Sequence, residues 1–267
     1  MSLRKSVKKW LYGKCPGFAG SFPYFGTRVY FPKGSLIFEG ACEQGVWERE
    51  LVGILTALAR PKTTYFDIGA NIGLMSIPVL SNCPDCRVVS FEPSPGALPY
   101  LQRTTEGSRY GDRWLVVGKA LGDKIGSTDF FISPSASSIF DGMRDTKRMG
   151  ETKKVSVPVT TLDTEWETLN YPEVSVIKID VEGAELQAMQ GALECIAREQ
   201  PFILFEWNAT NLKAYDCDSA SVLCLAQKLG YRLFSLPNFL PILDSTMLRL
   251  QMLVTESFIL GPRGGQC

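Results

Sequence analysis

From residue 46 onward, short apolar runs alternate with segments whose apolar residues recur every three or four positions. In residues 47–59, Trp47, Leu51, Leu55 and Leu58 follow one another at spacings of four, four and three, which predicts a helix with one apolar face. Arg60-Pro61 ends it, because proline cannot continue a helix. Five apolar runs follow, over 64–68, 87–91, 113–117, 174–179 and 201–205, none strictly alternating. That pattern predicts parallel strands covered on both faces. Helix-length segments over 74–80, 97–105 and 185–198 lie among them, and the repeated β-α order predicts a doubly wound, Rossmann-like α/β sheet. A helix over 220–229 closed by Gly230, a strand over 231–236 and a last apolar run over 257–260 suggest a late hairpin. Residues 133–154 break the rhythm and read as a long loop, either a lid or specificity element or a plain surface excursion. Residues 1–45 read as an N-terminal extension, a lid or partner-contact segment, ahead of one main domain over 46–267.

Composition narrows the chemistry. The 267 residues are 45% hydrophobic, enough for one sizeable core, and 28 Lys plus Arg balance 28 Asp plus Glu. Such a balance gives no field to draw in nucleic acid. Histidine is absent, so acid-base chemistry falls to Asp, Glu, Lys, Tyr or Cys. No apolar stretch follows the basic start and none is long enough to span a membrane, so the expectation is a cytoplasmic protein whose eight cysteines are reduced. Cys83-Pro84-Asp85-Cys86 has the spacing of a metal or redox pair but lacks partners, and also reads as a turn. Arg4, Lys5, Lys8, Lys9 and Lys14 around Val7, Trp10 and Leu11 suit either an anionic surface or a solvated terminus.

The run over 64–68 leads into Asp67-Ile68-Gly69-Ala70-Asn71-Ile72-Gly73. Glycines at 69 and 73 would let backbone approach a ligand, and ligands of open α/β sheets bind at the carboxyl ends of strands. Dinucleotide enzymes place glycines here too, but in a GxGxxG pattern whose second glycine admits a pyrophosphate; Asn71 stands at that place. Asp67 would repel a phosphate and suits a cofactor bearing an ammonium and a sulfonium. These features favour S-adenosylmethionine over NAD. Glu92, at the end of the second run and followed by Pro93, is placed to accept the hydrogen bonds of a ribose diol.

Four blocks resemble the FkbM family of class I S-adenosylmethionine-dependent methyltransferases: residues 66–73, Phe91-Glu92-Pro93-Ser94, Thr160-Thr161-Leu162-Asp163, and Ile177-Lys178-Ile179-Asp180-Val181-Glu182-Gly183-Ala184-Glu185 with Met189-Gln190-Gly191-Ala192. The resemblance covers roughly residues 48–207 and implies a seven-stranded sheet with an antiparallel last strand. It also implies methyl transfer to a hydroxyl oxygen of a sugar, glycan or secondary metabolite. By the same resemblance Asp67, Gly69, Ala70, Asn71, Gly73, Glu92, Pro93, Lys119 and Ala120 hold the cofactor, the last two near its adenine, and Ser137 and Ser138 contact substrate.

Lys178 lies inside an apolar run and needs a buried partner, for which Asp180 or Glu206 is placed. A plain tie between strands is the bland alternative, and Glu182 and Glu185 would also complement a helix dipole. Without histidine, the base that takes the acceptor proton is Asp180, or Lys178 if burial lowers its pKa, with Glu182 orienting and Glu206 on the substrate side. The expectation is catalysis without a metal; magnesium on Asp180, Glu182 and Glu206 is the alternative. Two other readings stay open: a nucleotide-dependent oxidoreductase on the same sheet, and a cofactor-binding scaffold without catalysis.

Overall fold

The computed structural model describes residues 6–7, 10, 20–133, 140–147 and 151–264. The central run forms β3 (Thr64–Ile68), β4 (Arg87–Phe91), β5 (Trp114–Val117), β9 (Val174–Ile179) and β10 (Phe202–Glu206), all parallel. Every residue of β3 and β9 is buried, which is why neither strand alternates in sequence. Beyond β10 the sheet continues through β13 (Ser257–Pro262), antiparallel to both neighbours, then β11 (Tyr231–Ser235) and β12 (Leu240–Ile242). The order is β12-β11-β13-β10-β9-β3-β4-β5. The antiparallel last strand is therefore present, but the expected count of seven is corrected to eight among the described residues. The extra strand, β12, pairs with β11 over three residues only and occupies the edge.

Helices cover both faces. On one lie α1 (Leu36–Gln44), α2 (Arg49–Leu58) and α3 (Ser76–Asn82), which share a core with Tyr65, Val88, Val176 and Leu204 of the sheet. The hairpin β1 (Gly20–Tyr24) and β2 (Thr27–Phe31) joins that core through Phe22, Tyr24, Val29 and Phe31. Also against β2 and β5 packs α4 (Leu98–Glu106). The opposite core gathers Phe66, Ile177 and Phe205 with α5 (Leu162–Thr168), α6 (Glu185–Gln190), α7 (Leu193–Glu199), α8 (Ala209–Ala214), α9 (Ser221–Leu229) and α10 (Ser245–Gln251).

Two helix readings are corrected. The helix expected over 185–198 is two, broken at Gly191, where an added Cβ would overlap the Gly122 carbonyl oxygen passing alongside. The helix expected from residue 74 starts at Ser76, after a turn that occupies 69–75.

A second sheet, of order β6-β8-β7, is built from β6 (Ala120–Leu121), β7 (Gly126–Ile132) and β8 (Lys153–Thr160). The 133–154 excursion is the link between β7 and β8 and gives up its last two residues to β8. No helix among the described residues is long and apolar enough to cross a membrane. Cys42, Cys83, Cys86, Cys195, Cys217 and Cys224 are free thiols. Cys83 and Cys86 flank the turn between α3 and β4, where Arg113 donates to both of their carbonyls, and burial pushes the Cys86 thiol up to about 12.

Candidate functional site

The carboxyl ends of β3, β4, β9 and β10 open onto one cavity of about 290 Å³. Of the residues singled out in the sequence, Gly69, Ala70, Asn71, Glu92, Pro93, Lys119, Ala120, Lys178, Asp180, Glu182 and Glu206 line it. Asp67 and Gly73 do not, and Ser137 and Ser138 lie outside the described residues.

The two glycines answer to packing. Gly69 has φ +77 and an added Cβ would overlap the Asp180 carbonyl; Gly73 has φ +89 and faces Trp114 and Leu101. Both positions require glycine before any ligand enters the argument. Between them, Asn71 takes φ 49 and turns its N–H toward Glu92, whose Oε2 accepts it at 2.8 Å. The other oxygen of Glu92 accepts the Ser94 N–H at 2.7 Å. Burial raises the Glu92 carboxyl to about 7 against these two hydrogen bonds, so it is fixed in place at the end of β4 with lone pairs left for a ligand.

Asp67 is fully buried beneath the cavity floor. Its Oδ2 accepts the Ser76 hydroxyl at 2.5 Å, Ser76 and Ser90 hydroxyls meet at 2.8 Å, and the Trp114 indole N–H donates to Ser90 Oγ at 2.8 Å. Its Oδ1 faces the Lys178 ammonium at 3.5 Å. That ammonium donates to the Gly69 carbonyl at 2.9 Å and reaches Asp180 Oδ2 at 3.4 Å. Burial by itself would lower the pKa of Lys178, but Asp180, Asp67 and Glu48 together raise it above the ordinary lysine value. Lys178 is held as an ammonium, which corrects the expectation that it might serve as a base.

Asp180, with its side chain 39% exposed, is the most open carboxylate of this chain of groups. Glu182, at φ 57, is buried and accepts from the Asn211 amide at 3.1 Å. Glu206 accepts from Asn208 at 2.9 Å and from Asn211 at 3.5 Å. Burial first, then the charges of Asp180 and Glu182, push the Glu206 carboxyl up to about 11, and Glu256 shares a hydrogen bond with it. Glu185, by contrast, accepts the N–H groups of Val181 and Gly183 and shapes the turn into α6.

Sequence reading missed three acidic residues in the lining, Glu48, Asp141 and Glu256. Glu48 precedes α2 at φ 44, and burial followed by repulsion from Asp180 raises it to about 7. Asp141 comes from the β7-β8 link, where Phe131 and Gly142 exchange two backbone hydrogen bonds, and it accepts from Ser94 Oγ at 2.6 Å. Phe140 and Met143 of the same link also line the cavity, as do Ile37 and Trp47. Lys119 pairs with Glu165 of α5 at 2.8 Å.

Comparisons with known proteins agree with this layout. The family model described as the methyltransferase FkbM domain matches residues 67–233. Methyltransferase 1 of Beauveria bassiana is 29% identical over 140 residues, covering 47% of this chain and 56% of that protein. Hexuronic acid methyltransferase AglP of Haloferax volcanii is 24% identical over 163 residues, covering 61% of this chain and 63% of that protein. The chain thus spans about three fifths of the length of either curated relative. The crystal structure of methyltransferase FkbM from Methylobacillus flagellatus KT is 16% identical, with a TM-score of 0.46, over 84% of this chain and 54% of that one. The matched segment takes in the turn after β3, Glu92 and the whole Lys178–Glu185 block, and the chain belongs to the FkbM methyltransferase family.

Proposed function

We infer that the chain is an S-adenosylmethionine-dependent methyltransferase that methylates a hydroxyl of a sugar, glycan or secondary metabolite. The observation that carries this reading is the charge of the cavity. Glu48, Glu92, Asp141, Asp180, Glu182, Glu206 and Glu256 face it, whereas its two lysines, Lys119 and Lys178, are each tied to carboxylates. Among the described residues the lining offers a pyrophosphate no uncommitted cation, which disfavours NAD. A ligand carrying ammonium and sulfonium charges fits the same walls. The name of the Haloferax relative, a hexuronic acid methyltransferase, supports a sugar as the acceptor.

Glu92 would take the ribose diol, and Ala120 and Leu121 with Phe91 offer an apolar wall for the adenine. When bound, S-adenosylmethionine supplies a methyl group already activated by its sulfonium. What remains for the protein is alignment, exclusion of water and removal of one proton. Asp180 is placed for the last task, at a strand tip, open to the cavity and oriented by Lys178 from below. Phe140 and Met143 narrow the cavity's rim against water.

Titration calorimetry with S-adenosylmethionine and with NAD tests the cofactor: saturable binding of the first and none of the second is expected. Transfer of labelled methyl to a panel of sugars, glycolipids and polyketide alcohols tests the reaction. Binding of NAD in preference, or persistent absence of transfer across that panel despite tight cofactor binding, overturns it.

A further inference from the structure

The acceptor end of the cavity gathers oxygen atoms from three places in the fold. Asp180 follows the last residue of β9, Glu182 stands in the left-handed turn two residues on, and Glu206 ends β10. One carboxylate oxygen from each lies within 4.8 Å of the others. Oxygens that share one ion can be no further apart than twice the metal–oxygen distance, about 4.2 Å for magnesium and about 5 Å for calcium. The three already stand at that span.

A second observation comes from α8. Asn211 is 2% exposed and its side chain is aimed at this cluster, with the amide nitrogen 3.1 Å from Glu182 and 3.5 Å from Glu206. Its Oδ1 is buried without a hydrogen-bond partner. An orphaned buried acceptor costs about 1–3 kcal/mol. A half-turn of the amide, whose two ends are nearly isosteric, would bring that oxygen in beside the carboxylates, an arrangement that only a cation stabilises. The Lys178 ammonium does not fill this place: it is held below by Asp67 and the Gly69 carbonyl and reaches Asp180 alone among the three.

We propose that Asp180, Glu182 and Glu206, with Asn211 Oδ1 as a fourth oxygen, bind one hard divalent cation at the acceptor end of the cavity. An all-oxygen, carboxylate-rich set selects magnesium, manganese or calcium over softer metals. The cavity leaves the remaining coordination positions to water or to two oxygens of a diol. Use of the ion to seat an acceptor hydroxyl beside Asp180 rests on the methyl-transfer reading above; binding of the ion does not.

The test uses the full chain stripped with EDTA and titrated with Mn²⁺, free manganese being read by its paramagnetic resonance and binding repeated by calorimetry with Mg²⁺ and Ca²⁺. One Mn²⁺ per chain is expected, with Kd of about 10⁻⁵–10⁻³ M. Glu206→Gln should weaken it at least tenfold and Asn211→Ala severalfold, while Glu173→Gln, at an exposed ion pair with Arg60, should leave it unchanged. Asp180→Asn, at a half-exposed strand tip, carries the same test if Glu206→Gln does not fold. No saturable binding at millimolar Mn²⁺, or binding that survives both Asp180→Asn and Glu206→Gln, overturns the site. A protein that binds Mn²⁺ at this site yet transfers no methyl group keeps the ion site and loses the methyl-transfer reading; full transfer by a protein that binds no ion does the reverse.

Discussion

Replacing Lys178 by methionine removes the one ammonium between Asp67 and Asp180. The substitution keeps the length of the side chain and most of its apolar stem, so the loss is chiefly electrostatic. Asp67 is fully buried and the lysine side chain is 5% exposed, so this pair belongs with buried ion pairs, whose disruption on one side costs about 3–5 kcal/mol. The contact to Asp180 adds little, because that carboxylate is 39% exposed and screened by water. For a chain of this size, about 2–4 °C per kcal/mol translates the loss into a melting point lower by roughly 6–15 °C. The variant should be compared with Asp67→Asn and with the double variant in a calorimetric or urea-unfolding cycle. Since the double variant leaves no buried charge uncompensated, it should recover at least about 1 kcal/mol relative to Lys178→Met alone. A single substitution that costs under about 1 kcal/mol, or a double variant whose loss is the plain sum of the two, would refute the reasoning that Lys178 and Asp67 are one unit.

Three further outcomes follow from the site. Asp180→Asn should lower kcat at least about 100-fold while cofactor affinity stays within a few-fold, as equilibrium dialysis beside single-turnover assays would show; near-normal turnover removes Asp180 from the role of base. Gly69→Ala should destabilise the ligand-free protein by about 2 kcal/mol or more, since a left-handed φ and overlap with the Asp180 carbonyl act together, and an unchanged ligand-free melt would return Gly69 to a purely ligand-facing role. Glu92 ionises near 7 in the folded protein against an ordinary value of 4.5, so the folded state binds its proton more tightly. Its contribution to stability is therefore full below about pH 4.5 and lost as pH rises through about 7, a swing of about 3 kcal/mol. Glu92→Gln should flatten that slope in melts taken across the window.

How much of this was legible in the sequence depends on depth below the surface. Strands β3, β4 and β9 were read to their last residue, because strands covered on both faces are written as unbroken apolar runs. The three-residue β12 left no run to read: two of its residues are exposed. The strands β7 and β8 are mostly polar on their open side and pass for loop. The β1-β2 hairpin does alternate, with Phe22 and Tyr24 facing inward opposite Val29 and Phe31, and a turn at Phe25-Gly26. That signal was available and went unread. The break at Gly191 was not available, since its cause is the backbone of Gly122, distant in sequence. In the site, the residues at strand ends were found from their position in the β-α rhythm. Glu48, Asp141 and Glu256 were not, because each arrives from a helix start or a connection whose place over the sheet no local pattern encodes.

Depth also explains why chemically equal carboxylates divide into different roles. Asp67 lies one layer beneath the strand ends, where an ionised group is tolerable only with a permanent partner, and Lys178 and Ser76 supply it. The argument for a cationic cofactor that rested on Asp67 alone therefore passes to the carboxylates above it. Glu92, at the end of β4, is buried too, but backbone N–H groups hold it in place and leave it a ligand to accept. Asp180 is the first acidic group on this path with a side chain open enough to exchange a proton with something that enters and leaves. The order Asp67, Lys178, Asp180 thus runs from structure to chemistry along a single line. Moving the open carboxylate one residue back along β9 would place it on the opposite face of the sheet, in the core with Phe66 and Phe205. For that reason an Ile179→Asp, Asp180→Ile exchange should abolish folding, whereas Asp180→Asn should abolish only turnover; a folded exchange variant that keeps activity would show that strand register does not decide which carboxylate acts.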